Sequence, residues 1–145
     1  MSAARSQMQG RLLGLDVGGK RTGVAISDEL GVLASPVGFV LRGAHDRAEF
    51  RDLVRRWSVA GLVVGLPTSL SGREGPQAAE VRAYADALAA DLGLDLAYWD
   101  ERLTSSMAER ALIESGFRRE RRRERIDAVA AALILQSYLD SKRPR

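Results

Sequence analysis

The sequence predicts an α/β domain: a mixed five-stranded sheet, made of a three-stranded antiparallel meander plus two parallel strands, with helices on both faces. Three observations carry this. The chain opens with three short strand-like runs separated by turn formers. The apolar period then changes from two residues to that of a helix. From there strand-like and helix-like stretches alternate, which calls for right-handed crossovers and parallel pairing.

The elements follow in order. Residues 12–17 are apolar except for Gly14 and Asp16, and residues 22–27 form a second strand-like run interrupted by Gly23. Gly18-Gly19 and the basic pair Lys20-Arg21 between them read as a hairpin turn. Asp28-Glu29 with Gly31 marks the next turn. In residues 32–41, Val37, Phe39 and Leu41 alternate as in a strand with one exposed face. Over 45–58, Phe50, Leu53, Val54 and Trp57 recur at helical spacing, with charged residues between them.

Residues 61–66, GLVVGL, are continuously apolar, as in a strand buried on both faces, and Pro67 ends them. The loop PTSLSGREGP is the densest group of turn formers. A helix is expected over 77–90, stopped by Gly93, and a strand over 94–99 running into Asp100-Glu101-Arg102. Thr104 caps an expected helix over 105–115, closed by Gly116. An Arg-rich segment over 117–125 precedes the last helix, expected over 126–139. The domain reading is a disordered N-terminal tail over 1–10, a single domain over 11–140, and a C-terminal tail over 141–145.

Composition excludes several chemistries. With no cysteine, disulfides and thiolate metal sites are out, and the single His45 argues against imidazole-based metal binding or a Ser-His-Asp centre. A metal would therefore be held by carboxylates, which suits Mg2+ or Mn2+. No apolar run is long enough for a membrane span and the N-terminus has no signal-peptide core, so a soluble, cytoplasmic protein is expected. The net charge of +3 is modest, but the basic residues are nearly all Arg, the side chain best suited to phosphate.

Three places carry acids that the local pattern does not want. Asp16 sits inside an apolar strand, where an unpaired carboxylate is costly. It either caps the following turn through the amides of Gly18 and Gly19 or is a functional acid. Asp100 and Glu101 end the last strand, either ion-paired with Arg102 or functional. Asp127 shares a helical stripe with Ala130, Ala131 and Ile134. It is either a first-turn acid favoured by the helix dipole or a carboxylate carried toward the strand ends by a close-packed helix.

Basic and hydroxyl side chains surround these places. Lys20 and Arg21 follow Asp16, and Arg102 follows Glu101. Arg118, Arg119, Arg121, Arg122, Arg123 and Arg125 form the strongest basic run, diluted by Glu120 and Glu124. It reads either as a solvated face or as a holder of nucleic-acid backbone. Thr68, Ser69 and Ser71 with Gly72 are candidates for phosphate contact or a plain loop. Trp57 and Trp99 fall in apolar patterns and read as core, and His45 as a loop or helix-start residue with no functional role.

The stretches GLDVGGKRTGVAISD, VVGLP with SG beyond it, DERLTS and IDAVAAALILQSYL together resemble the YqgF/RuvX family of ribonuclease H-like nucleases. That family is related to the RuvC Holliday junction resolvases and is described as acting on pre-16S rRNA. The resemblance spans residues 12 to 139 and implies a ribonuclease H-like sheet. It implies Asp16, Glu101 and Asp127 as catalytic and metal-holding acids, with Asp100 the alternative to Glu101 because strand alternation puts the two on opposite faces. It implies Mg2+ or Mn2+ as cofactor, with Asp16 bridging two ions. Nucleic-acid contacts are expected from Lys20, Arg21, Thr68, Ser69, Arg102, Arg118, Arg119, Arg121, Arg122 and Arg123.

The implied partner is nucleic acid, either pre-rRNA or branched DNA, with no membrane and a monomer or homodimer. One departure stands out: RuvC relatives carry an acid at the end of the first parallel strand, where this chain has GLPTSL. Three functions compete. The first is a metal-dependent nuclease, either processing the 5′ end of pre-16S rRNA or resolving Holliday junctions. The second is a non-catalytic nucleic-acid-binding module, against which the three acids argue. The third is an actin-like phosphotransferase, suggested by GxDxG, which would need a second domain to close over ATP.

Overall fold

The computed structural model describes residues 8–68, 72–100 and 119–142, with side chains from 126 onward in the last stretch. The strands are β1 (Arg11–Val17), β2 (Arg21–Ser27), β3 (Ala34–Leu41), β4 (Val59–Leu66) and β5 (Asp95–Asp100). The helices are α1 (Asp46–Trp57), α2 (Pro76–Leu92) and α3 (Arg119–Ser141). The sheet order is β3-β2-β1-β4-β5. The first three strands pair antiparallel, and β4 and β5 add in parallel on the other side of β1. The strand holding Asp16 is therefore central.

Alternation along β1 divides its side chains between two cores. Leu13, Leu15 and Val17 join Phe50, Leu62 and Leu88 under α1 and α2. Leu12 joins Ala25, Val63, Ile134, Leu135 and Tyr138 under α3. Chain punctuation agrees with the helix limits. Pro76 occupies the first turn of α2, where its missing N–H costs nothing, and Gly93 closes the helix at φ 67°. Trp57 packs on the first core and Trp99 on the second, both as structural side chains. Met8, expected in the disordered tail, packs on the second core instead. No helix among the described residues is long and apolar enough to cross a membrane.

One boundary moved substantially. Helix α3 starts at Arg119, not at residue 126. Arg and Glu are good helix formers and nothing between 119 and 125 breaks the helix, so the basic run continues it backward. Asp127 consequently lies in the third turn, beyond the reach of the N-terminal dipole, and the first-turn explanation of this acid fails. The helix expected over 105–115 lies outside the described residues.

Helix α3 lies unusually close to the sheet, and two strand glycines are the reason. A methyl group at Gly14 would stand 2.7 Å from Leu135 Cβ and 2.8 Å from the Ala131 carbonyl oxygen. A methyl group at Gly23 would overlap the carbonyl of Asp127 itself. The helix is also tied across the sheet. Gln136 Oε1 accepts from the Ala34 amide at 2.9 Å, and Trp99 Nε1 donates to Ser137 Oγ at 2.9 Å. Gly23→Ala should therefore cost about 3 kcal/mol or more in urea unfolding, because backbone must move to admit it. Gly19→Ala, with nothing within 4 Å of the added methyl, should stay within about 0.5 kcal/mol of wild type.

Candidate functional site

Asp16 faces α3. It lies two and four residues beyond Gly14 and Leu12, both of which meet that helix. In the hairpin register Asp16 stands opposite Gly23, and the backbone of Asp127 lies directly on Gly23. The absence of a side chain at Gly23 thus brings one acid to the other. Ala130, Ala131 and Ile134 are buried beneath α3, so the stripe inferred for Asp127 is the face that packs.

The two carboxylates feel each other. Burial, and then the charge of Asp127, pushes the Asp16 pKa up to about 6. Burial also raises the Asp127 pKa, with the Arg21 guanidinium pulling it back. Arg21 Nε lies 2.5 Å from Asp127 Oδ2. Oδ2 is buried and has no hydrogen bond of good geometry. The Arg21 guanidinium also stands 5.2 Å from the centre of the Phe39 ring. Arg21, expected to contact nucleic acid, is engaged within the site.

Asp16 does not close the hairpin turn. The Gly18 amide donates to the Arg21 carbonyl at 2.9 Å, so backbone does that work. Arg42 braces the turn from the other face: its amide donates to the Lys20 carbonyl and its Nη1 to the Gly18 carbonyl, each at 2.9 Å. Its guanidinium stacks 4.4 Å from the Tyr84 ring, and the Tyr84 hydroxyl donates to buried Asp46 at 2.6 Å. Lys20 is exposed at the tip.

Asp100 goes elsewhere. Tyr98 packs in the α1–α2 core and Trp99 in the α3 core, so alternation returns Asp100 to the α1–α2 face. There it accepts a hydrogen bond from Thr68 Oγ1 at 3.1 Å, which also gives Thr68 a protein partner. Among the described residues no three acids converge on one point. Ser69, Glu101, Arg102 and Arg118 lie outside them, and Arg119, Arg121, Arg122 and Arg123 are placed as helix backbone only.

Sequence reasoning missed the two glycines and the brace. A glycine inside a strand marks a close approach of other backbone, so Gly14 and Gly23 carried a readable signal. The Arg42–Tyr84–Asp46 brace joins the β3–α1 connection and the start of α1 to α2, and had none. The donor chemistry is that of a hard divalent cation's site: two carboxylates, one with a buried oxygen lacking a hydrogen-bond partner, and no sulfur.

A family model described as "RuvX: Holliday junction resolvase" matches residues 10–141. A protein of Moorella thermoacetica named "Putative pre-16S rRNA nuclease" is 51% identical over 132 residues, 90% of this chain and 94% of that one. One of the same name from Listeria monocytogenes is 46% identical over 136 residues, 90% and 98% of the two chains. The structure of T. thermophilus RuvC in complex with Holliday junction substrate matches with a TM-score of 0.54 and 14% identity. That match covers 92% of this chain and 97% of that one, and what it shares is the fold. With the observed strand order, this makes the sheet ribonuclease H-like.

The raised pKa of Asp16 has a definite sign in stability. Below 3.8 the carboxyl is protonated in both the folded and unfolded states, and the site costs nothing. As pH rises through the interval up to about 6, the unfolded chain ionises first and the fold loses stability. Above that interval the loss is complete, about 3 kcal/mol for a shift of this size. Asp127, also raised, contributes in the same direction. Metal-free Asp16→Asn should therefore be more stable than wild type above about pH 7, and the gap should close toward about pH 4. Urea unfolding in chelator across that range measures it; a gap that does not change with pH would contradict the assignment.

Proposed function

The chain belongs to the RuvX family, and from that premise we propose that it is a metal-dependent nuclease that trims the 5′ end of pre-16S rRNA. The observation that carries the proposal is the Asp16–Asp127 pair. Two carboxylates are held together by backbone contact at Gly23, at a cost in folding stability that a purely structural role would not require. Sites that oppose folding in this way are commonly kept for chemistry.

Asp16 and Asp127 would hold Mg2+ or Mn2+, and Asp16 is the natural shared ligand because it stands on the central strand. Such an ion supplies Lewis acidity and makes water a nucleophile near neutral pH. Glu101 is the third acid of this proposal. Asp100 is taken by Thr68 on the opposite face, so the next carboxylate in the chain is the better candidate. The Arg42 brace holds the turn beyond Asp16 in one geometry, and exposed Lys20 at its tip meets the phosphate backbone. Arg118, Arg119, Arg121, Arg122 and Arg123 lead along the chain into Asp127 and hold the same backbone. Ser69 and Arg102 are further contacts of this kind. Trimming of rRNA precursor places the protein in the cytoplasm, where ribosomes assemble.

A second reading, resolution of Holliday junctions, is favoured by the description of the matching family model. Acting on a two-fold junction would call for a homodimer. Single-turnover cleavage of a pre-16S 5′-end RNA and of a four-way DNA junction, each with Mg2+ or Mn2+, decides between them. Asp16→Asn should lower cleavage of the true substrate by more than about 100-fold while binding persists. Equal cleavage by the variant would refute the assignment. The Arg118, Arg119, Arg121, Arg122 and Arg123 to Ala variant should do the opposite. Its binding should weaken and its log–log salt slope flatten by about 0.7 per lost contact on single strands and about 0.9 on duplex. Cleavage by this variant should recover at saturating enzyme. An unchanged salt slope would reduce the run to a solvated face.

A further inference from the structure

Arg21 opens β2, and alternation places it on the same face as Gly23 and Ala25, against α3. Its guanidinium lies between the Phe39 ring and the Asp127 carboxylate. Both ionic side chains of this pair are about three-quarters buried, Arg21 at 27% and Asp127 at 25% exposure. One positive charge thus stands against two neighbouring carboxylates, and the three together keep a net charge of −1 when both acids are ionised.

The contact has a weak form. Elsewhere in the same protein Arg82 grips Glu74 with Nε and Nη2 at 2.7 and 2.8 Å, the forked geometry of a stable ion pair. Arg21 meets Asp127 through Nε on Oδ2, and that buried oxygen has no hydrogen bond of good geometry. A structural ion pair buried this far would be expected to satisfy that oxygen. An oxygen kept near a cation but not bonded along a donor axis remains open to a better cation.

We propose that Arg21 is an exchangeable counter-cation: it stands on Asp127 until a divalent ion enters the Asp16–Asp127 pair, and the ion displaces it. The inference rests on the metal reading given under the proposed function. A divalent ion brings two charges where Arg21 brings one, so entry neutralises the acid pair. The Phe39 face keeps the displaced guanidinium beside the site. The free protein would otherwise hold two mutually repelling acids without a counter-charge. Arg21 limits that repulsion at the expense of metal affinity, because the ion must compete with it.

The test titrates Mn2+ alone into the metal-free full chain by calorimetry, without nucleic acid. Arg21→Gln should bind Mn2+ about tenfold more tightly than wild type, because the competitor is gone. Arg21→Met keeps the apolar stem against Phe39 and should do the same, which covers the case in which the Gln variant does not fold. Arg21→Lys retains a competing charge and should stay within about threefold of wild type. Melting without metal should fall in the neutral variants, and saturating Mn2+ should raise it more than in wild type. Unchanged or weaker Mn2+ binding in the neutral variants, with Asp16→Asn still abolishing it, overturns the exchange and leaves an ordinary ion pair. No Mn2+ binding by wild type, or equal binding by Asp16→Asn, overturns the metal reading and the exchange with it.

Discussion

The contact of α3 backbone on Gly23 governs the rest of this molecule. A helix normally rides on a sheet through two layers of side chains, at a separation near 10 Å. Here the Asp127 carbonyl rests where a β-carbon would be, so the helix descends onto the hairpin at that point. Gly14 and Ala131 continue the approach further along. Everything that makes the site depends on this descent. The Asp127 backbone is thereby set beside the strand position opposite Asp16, and the Gln136 and Trp99 hydrogen bonds tie the helix to the sheet.

The closeness sets the electrostatics. Two carboxylates brought together in a partly dry place oppose their own ionisation, and the upward shift of Asp16 records it. The large apolar cores on both faces of the sheet supply the stability against which this strain is held. The hairpin has matching reinforcement: backbone closes its turn, and Arg42, stacked on Tyr84, secures the carbonyls of Gly18 and Lys20 from beneath. The acids therefore sit between a tied helix and a braced turn, the kind of rigid support a reacting site needs.

The sheet was legible because its signals are local. Period-two and continuous apolar runs, with Gly and Pro between them, gave five strands in the right order, and β1 fell at the centre. The limits of α3 were not legible. The Arg-rich run looks like a loop by charge, yet its residues favour helix, and propensity prevailed. At the site, Asp16 and Asp127 were recognisable as acids out of place. The choice between Asp100 and Glu101 needed the face assignments of Tyr98 and Trp99, which only the packed structure supplies for Asp100. Arg21 reads from the sequence as a nucleic-acid contact, because spacing cannot show that it pairs with Asp127.

The two faces of the sheet divide the labour. The α1–α2 face takes the Thr68–Asp100 bond and the Arg42–Tyr84–Asp46 brace, all fully engaged polar groups. The α3 face holds the acid pair: a carboxylate with a raised pKa and a second carboxylate whose buried Oδ2 has no hydrogen-bond partner. Period two in β1 produces this separation, since Leu15 and Val17 point one way and Asp16 the other. A one-residue slip of β1 would put Asp16 into the α1–α2 core and Val17 under the helix. The register of β1 is thus specified twice, by apolar burial on one face and by the glycines on the other. The strand that carries Asp16 is thereby held in a single register.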